Sequence, residues 1–390
     1  MKLSFFLNLI NNQIFINQLK QIKNYKLINY KIGFKYIIYF SKINKILAYL
    51  NANQNHNINN FKKFIQSFNL NFQSSVILYR LSLVNNHFLA AYFFRKKFIY
   101  FLSKKNFFFY FRYFLNLSIE NFNIKIYRQI AKIKILNKIF KNEIISKKYI
   151  FSKNYKIIND KKIEDKNSFL ILDLIKGKKV AIIGPGKGSI NKIELINFDT
   201  IIFLNEISIP KHLATHKKIL YLNGFFLNNY SKHYTSSFSK FDLICLKEGF
   251  KKKITSKSNN IRYFDHTNNV LLGSGYMLTN IIFDLIQYRP KKIKAFNFDF
   301  FANEKGFYNK KYLGNTIVRR SYYKNFKDPS INFKMGFAIH DVYGNFLIIK
   351  SLFKRKIVLF DNKANRILNK SAYQYAKKLE FIFNRNNFIK

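Results

Sequence analysis

Residues 178–205 read KKVAIIGPGKGSINKIELINFDTIIFLN, and this stretch decides the fold. Val180, Ala181, Ile182 and Ile183 form a short apolar run that stops at Gly184. A run of that length ending in glycine predicts a buried strand. Gly184, Gly186 and Gly188 then permit a tight turn in which backbone N–H groups can approach a phosphate. A helix is expected over 189–196 with Ser189 as its N-cap. Residues 200–204 form a second apolar strand, closed by Asn205. Strand, glycine turn, helix and strand make a nucleotide-binding half-unit, whose ligand sits outside the carboxyl ends of the strands. The helix N-terminus there favours an anionic group. The same glycines also serve a plain connecting turn.

The alternation continues downstream. Short apolar strands are expected at 218–222, 243–246, 293–298 and 356–360, with helices at 275–288, 343–353 and 371–383. Arg289 and Pro290 end the first of these helices. The pattern predicts an α/β domain with a mainly parallel, Rossmann-like sheet. Upstream the character changes. Residues 1–160 hold no proline and one glycine, Gly33, and the first 150 residues hold two acids, Glu120 and Glu143. So little turn punctuation predicts helices joined by short polar links, with breaks near 51–60, 85–87 and 121–123. The expected division is a basic all-α domain over 1–160 and an α/β domain over 161–390, the latter carrying a lid-like segment at 301–335.

With 390 residues and 48% hydrophobic content, the chain can bury a sizeable core. Its net charge of +50 fits nucleic acid, anionic lipid or acidic glycan as a partner. An A+T-rich coding sequence gives the same excess of Lys, Asn, Ile, Phe and Tyr, so the charge alone selects none of them. Residues 95–114, RKKFIYFLSKKNFFFYFRYF, mix cations with aromatics. They suit a membrane-surface face, a nucleic-acid face, or a helical bundle with a solvated lysine face. A single cysteine, Cys245, excludes an intramolecular disulfide and a cysteine-rich zinc site, and its apolar neighbours predict a buried thiol. No apolar stretch is long enough to predict a membrane-spanning helix. The expected location is cytoplasmic, with peripheral attachment to the inner face of a membrane.

Several pieces of the second half, taken in order, resemble sialyltransferases, both the animal-type enzymes with sialyl motifs and the bacterial lipooligosaccharide enzymes. VAIIGPGKGS followed by DTIIFLN is similar to the large motif, and KKILYLNG at 217–224 to the segment after it. GSGYMLTNIIFDLIQYRPKKIKAFNFDFF at 273–301 resembles the small motif, a Ser-Gly turn opening a helix and then a strand. AIHDVYGNFLIIKSLF supplies the later histidine, His340. The resemblance covers roughly residues 178–365. It implies a GT-A-like variant of the parallel-sheet fold. It implies transfer of a sugar, usually sialic acid, from a CMP donor to a glycan or glycolipid hydroxyl with inversion and without a metal or other cofactor. By the same resemblance Gly184, Gly186 and Ser189 face the nucleotide, Asn205 contacts the donor, and Ser274 and Gly275 hold the cytidine. His340 matches the general base, and Tyr308, with Tyr312 as a substitute for a second tyrosine, matches the donor-phosphate contacts. Pro185, Phe203 and Phe301 depart from the family's usual residues, and no arginine precedes the Ser-Gly turn at the bacterial position.

The chemistry is consistent with these residue types. A base must take the acceptor's proton, and histidine titrates near working pH. Asp341 beside it can cap a helix or orient the ring. The leaving phosphate needs hydroxyl, N–H or cationic donors, which Tyr308, Lys310, Lys311 and Tyr312 offer, and Arg319 and Arg320 suit a sugar carboxylate. No Asp-x-Asp pair is placed for Mg²⁺; Asp299 reads as a strand-end carboxylate, and His212 with His216 as surface residues lacking a third ligand. Two alternatives remain open. Gly184-x-Gly186-x-x-Ser189 with Glu206 approximates an NAD(P) fingerprint. A basic, nucleic-acid-associated protein is the other, although 17 of the 19 acids lie beyond residue 150, which makes nucleic acid the less expected partner.

Overall fold

A computed structural model of the chain describes residues 58–139, 166–186, 190–205, 209–222, 238–247, 260–264, 269–302 and 340–385, together with helical residues between 45 and 50 and between 144 and 151. The centre is a seven-stranded, all-parallel sheet. In chain order its strands are β1 (Lys179–Ile183), β2 (Thr200–Leu204), β3 (Lys217–Leu222), β4 (Leu243–Lys247), β5 (Ile261–Phe264), β8 (Lys292–Phe296) and β9 (Leu359–Phe360). In space they run β5-β4-β3-β2-β1-β8-β9. A separate antiparallel pair, β6 (Asn269–Val270) and β7 (Gly273–Ser274), forms a small hairpin. The apolar run of β1 lies in the middle, with Val180 level with Thr200 on one side and Ile293 on the other. Such a strand is covered on both faces, which explains its continuous rather than alternating hydrophobicity. Strand order departs from β1 in both directions, so the β1/β8 seam is the topological switch point of the sheet.

The two faces have different partners. Ala181, Ile201, Phe203, Leu220, Ile244 and Phe296 pack with Leu195, Leu213, Phe238 and Phe241 on one side. Val180, Ile182, Ile202, Tyr221, Cys245 and Ala295 face the other. There they meet α7 (Lys166–Ile175), α9 (Met277–Ile286) and α10 (Val342–Lys354), with α11 (Asn362–Leu368) and α12 (Ala372–Arg385) beyond. α7 begins at Lys166, just inside the expected α/β domain.

Residues 58–139, the continuous described part of the first half, form α1 (Ile58–Gln66), α2 (Phe72–Val84), α3 (Phe88–Ser103), α4 (Phe111–Glu120), α5 (Ile124–Lys132) and α6 (Lys134–Ile139). The breaks foreseen at 85–87 and 121–123 are real, and asparagines make them. Asn71 and Ser74 form a reciprocal capping box on α2, and Asn123 caps α5 with its side chain. Asn85 and Asn121 close α2 and α4. Phe94, Phe98 and Leu102 form a fully buried stripe along α3 at helical spacing. Each such side chain contributes about 1.5–3 kcal/mol. Their core does not stop at the expected boundary. One apolar cluster runs without interruption from Phe61, Leu78 and Phe94 through Ile171 and Ile182 to Phe346 and Leu379. Helices α1–α3, with Ile119 of α4, therefore share the core on one face of the sheet, while α4–α6 also pack around a separate small cluster that includes Phe111, Leu115, Tyr127 and Ile130.

Candidate functional site

At the carboxyl edge of the β1/β8 seam two loops touch. The N–H of Gly184 donates to the Phe296 carbonyl at 2.8 Å, and that of Gly186 to the Asn297 carbonyl at 2.9 Å. A Cβ on Gly184 would lie 2.8 Å from the Asn297 oxygen and from the Phe298 ring, and one on Gly186 would collide with the same oxygen. Close packing of two loops thus explains both glycines, and their amides are spent inside the fold. The helix that follows differs from expectation as well. α8 (Lys192–Ile196) has five residues and is capped by Asn191, so its dipole is short. Ser189 lies outside the described residues. Asn205 closes β2 with a left-handed backbone (φ 52°), and its N–H donates to the Tyr221 carbonyl at 2.9 Å.

The loop after β8 concentrates unusual backbone. Asn297, Phe300 and Phe301 all have positive φ. For a phenylalanine this is a costly conformation, held only because surrounding contacts over-determine it. Those contacts are visible: Asp361 accepts from the Asn297 N–H at 2.6 Å, Tyr375 donates its hydroxyl to the Phe300 carbonyl at 2.6 Å, and Phe300 packs on Phe346 and Phe360. Asp299 is the buried strand-end carboxylate that the sequence predicts, accepting from the Phe301 N–H at 3.1 Å.

Phe301 leads to the histidine. Its ring lies 5.3 Å from that of Tyr276, and Tyr276 lies 5.1 Å from the His340 imidazole. Tyr276 occupies the N-cap position of α9, directly after Ser274 and Gly275. One buried side chain, Asn345 on α10, joins the two turns. Its Oδ1 accepts from the Tyr276 N–H at 2.7 Å and from the Thr279 hydroxyl at 2.8 Å. Its Nδ2 donates to the carbonyls of His340 and Asp341. Asn280 fixes the Gly275 carbonyl at 3.1 Å. Sequence reasoning missed Asn345. Its only signal was a polar residue on the apolar face of a helix, which is ambiguous without the partner turn.

Asp341 caps α10 as foreseen, in a left-handed conformation (φ 45°), with the Gly344 N–H at 2.9 Å. Its carboxylate also accepts from the Leu272 N–H at 2.8 Å and from the Tyr79 hydroxyl of α2. Arg95 of α3 stands 4.0 Å away and pairs with Glu120 of α4 at 2.5 Å. Arg80 donates to the Leu272 carbonyl at 2.5 Å, and Asn116 to the Val270 carbonyl at 3.3 Å. Asp341 therefore holds the backbone turn that carries His340, and three helices of the first half hold Asp341 and the β6/β7 hairpin. Burial drives the titrations here. It pushes the Glu120 carboxyl up to about 7 against the pull of Arg95, lifts the Tyr79 hydroxyl further with help from Asp341, and lowers the Arg80 guanidinium.

A second buried cluster lies under the sheet. Arg262 of β5 grips Asp284 of α9 with two hydrogen bonds of 2.7 and 2.9 Å, and donates to the Tyr288 hydroxyl at 2.7 Å. Tyr221 donates to the same carboxylate at 2.6 Å. Arg262 is thus committed to the core. Cys245 beside it is the expected buried thiol, pushed up to about 12 by burial. His212 and His216 sit just before β3, at the amino edge, opposite the candidate site. Among the described residues no group of three His, Cys, Asp or Glu could hold a metal ion. Tyr308, Lys310, Lys311, Tyr312, Arg319, Arg320 and Glu206 lie outside the described residues, as does most of the expected lid. No family model, curated protein or solved structure matches this chain.

Proposed function

We propose that this chain is a Rossmann-like, sialyltransferase-like glycosyltransferase that moves a sugar, such as sialic acid, from a CMP donor to a glycan or glycolipid hydroxyl with inversion. The observation that carries this reading is the Asn345 bridge. It holds the Ser274–Gly275 turn and the His340 turn together at the carboxyl edge of the sheet, beside the switch-point seam where open parallel sheets take their ligands. These are the segments whose order along the chain carries the resemblance.

In this reading the acceptor oxygen attacks the anomeric carbon while the His340 imidazole takes its proton. The bond from that carbon to the phosphate oxygen breaks, and CMP leaves with the electron pair. Asn345, Tyr276 and Asp341 position the imidazole through its backbone turn. The donor lies along the seam against the loop at 184–189, with Asn205 and the Ser274–Gly275 turn as contacts, and Tyr308 and Tyr312 face the leaving phosphate. Because the Gly184 and Gly186 amides are already bonded, the nucleotide contact from this loop falls to its later residues, Ser189 among them.

The test is calorimetry with CMP followed by turnover across several CMP-sugars. We expect CMP to bind in the micromolar-to-millimolar range. His340→Ala should leave that affinity within about twofold and lower turnover by about 10²–10⁴-fold. Clear NAD binding without CMP binding would overturn the reading.

A further inference from the structure

We propose that the loop joining α3 to α4, with the lysines flanking it, docks on an anionic lipid bilayer surface. This loop is the most exposed aromatic feature of the described residues. Phe109 is 75% exposed and Phe108 41%, and Tyr100, on the last turn of α3, is 53% exposed. Phe108 and Phe109 project together at the tip with their rings perpendicular and 5.7 Å apart. Monomeric proteins seldom present adjacent phenylalanines to water without a partner. The exposed cations Lys104, Lys105 and Arg112 flank them in sequence, and Lys96 is exposed further back on α3. Lys104 holds its ammonium 4.3 Å from the centre of the Tyr100 ring and donates to its hydroxyl at 2.7 Å, so a cation and an exposed aromatic ring lie together beside the loop.

Two observations select lipid as the occupant. The first is charge: no Asp or Glu occurs in the first 119 residues, so nothing on α1–α3 or this loop repels anionic headgroups. The second is the state of the loop amides. Asn106 accepts from the N–H groups of Phe108 and Phe109 through Oδ1 at 2.9 and 3.4 Å, and its carbonyl accepts from Tyr110 at 3.3 Å. Lys105 donates to the Leu102 carbonyl at 2.9 Å. A loop entering the headgroup–acyl boundary must satisfy its own amides, because hydrocarbon offers no acceptor. A loop built to grip nucleic-acid phosphates would turn those amides outward instead. No helix among the described residues is long and apolar enough to cross a membrane, so the contact is peripheral. Midway along α4, Asn116 donates to the Val270 carbonyl of the β6/β7 hairpin, so the same helix joins the loop to the hairpin.

The test does not depend on turnover. The chain has no tryptophan, so Phe109→Trp introduces a single reporter. On vesicles of phosphatidylcholine with phosphatidylserine its emission should shift to the blue, the shift should fade with added salt, and pure phosphatidylcholine should give none. In co-sedimentation, the double variant Phe108→Ser with Phe109→Ser should lose about tenfold or more in vesicle affinity while its circular dichroism stays unchanged. The proposal is overturned by equal binding to neutral vesicles, by a double variant that binds as the parent does, or by no vesicle binding at all. It is also overturned if an oligonucleotide displaces the vesicles and itself loses affinity in the double variant, which would assign the face to nucleic acid.

Discussion

Two buried arginine–carboxylate clusters lie on the same side of the sheet, and they do different work. At Arg262–Asp284, charge and hydrogen bonds close on themselves: Asp284 accepts from Arg262, Tyr221 and Gln287. At Arg95–Glu120–Asp341 the polar groups are shared among α2, α3, α4, the β6/β7 hairpin and the start of α10, and the Arg80 Nε and Nη1 find no partner among the described residues. The closed cluster locks one helix to an edge strand. The open cluster ties a whole helical layer to the turn that carries His340. A satisfied buried pair contributes mainly rigidity, whereas an incompletely satisfied one stores a desolvation penalty that the surrounding contacts must offset.

The largest expected effect breaks the closed cluster. Asp284→Ala leaves Arg262 charged and buried without its partner, and should cost about 3–5 kcal/mol of unfolding free energy by denaturant titration. A loss under 1 kcal/mol would mean that water reaches Arg262 and that the cluster is not closed. Next comes the link between layers. Tyr79→Phe removes one hydrogen bond to the Asp341 carboxylate and keeps the packing of the ring, so about 1.5–3 kcal/mol is expected in the same measurement. Hydrogen exchange should quicken at Leu272 and Gly344, the amides bound to that carboxylate, and not at Tyr221. Equal quickening at both places would erase the distinction between the clusters.

The smallest effect is a slope. Burial raises the Glu120 carboxyl from its ordinary 4.5 to about 7. Between those values the folded chain keeps a proton that the unfolded chain has released, so stability falls as pH rises across that window. Glu380, raised to about 7 by burial near the Leu89 N–H, adds to the same trend. Glu120→Gln should therefore flatten the fall in unfolding free energy only partly. An unchanged slope would mean that the Arg95–Glu120 pair stays ionised throughout.

Much of the sheet was legible because its signal is local. The runs at 180–183, 201–204, 219–222 and 243–246 are apolar throughout, and a strand buried on both faces needs no knowledge of its neighbours to be recognised. β5 was not legible, since Arg262 interrupts four residues and its burial depends on Asp284, 22 positions away. The helix breaks at 85–87 and 121–123 were legible because asparagine caps act within a turn. The helix start was misjudged at Ser189 because Asn191 offers the same chemistry two residues later. The glycines were found, but their reason was not: the obstruction at Gly184 and Gly186 comes from Asn297, beyond the reach of any local pattern.

By itself, then, the sequence determined the alternation of strands and helices, the parallel sheet and the polar breaks of the helical half, because hydrophobic periodicity and capping act over a few residues. Only the tertiary structure decided that helices α1–α3 share one core with the sheet, that Asn345 joins the Ser274–Gly275 and His340 turns, and that Asp341 is held by Tyr79 of α2 and Arg95 of α3. Those outcomes rest on buried hydrogen bonds between residues far apart in the chain, 66 positions for Asn345 with Thr279 and 262 for Tyr79 with Asp341. Their energy appears only when the partner arrives and water leaves.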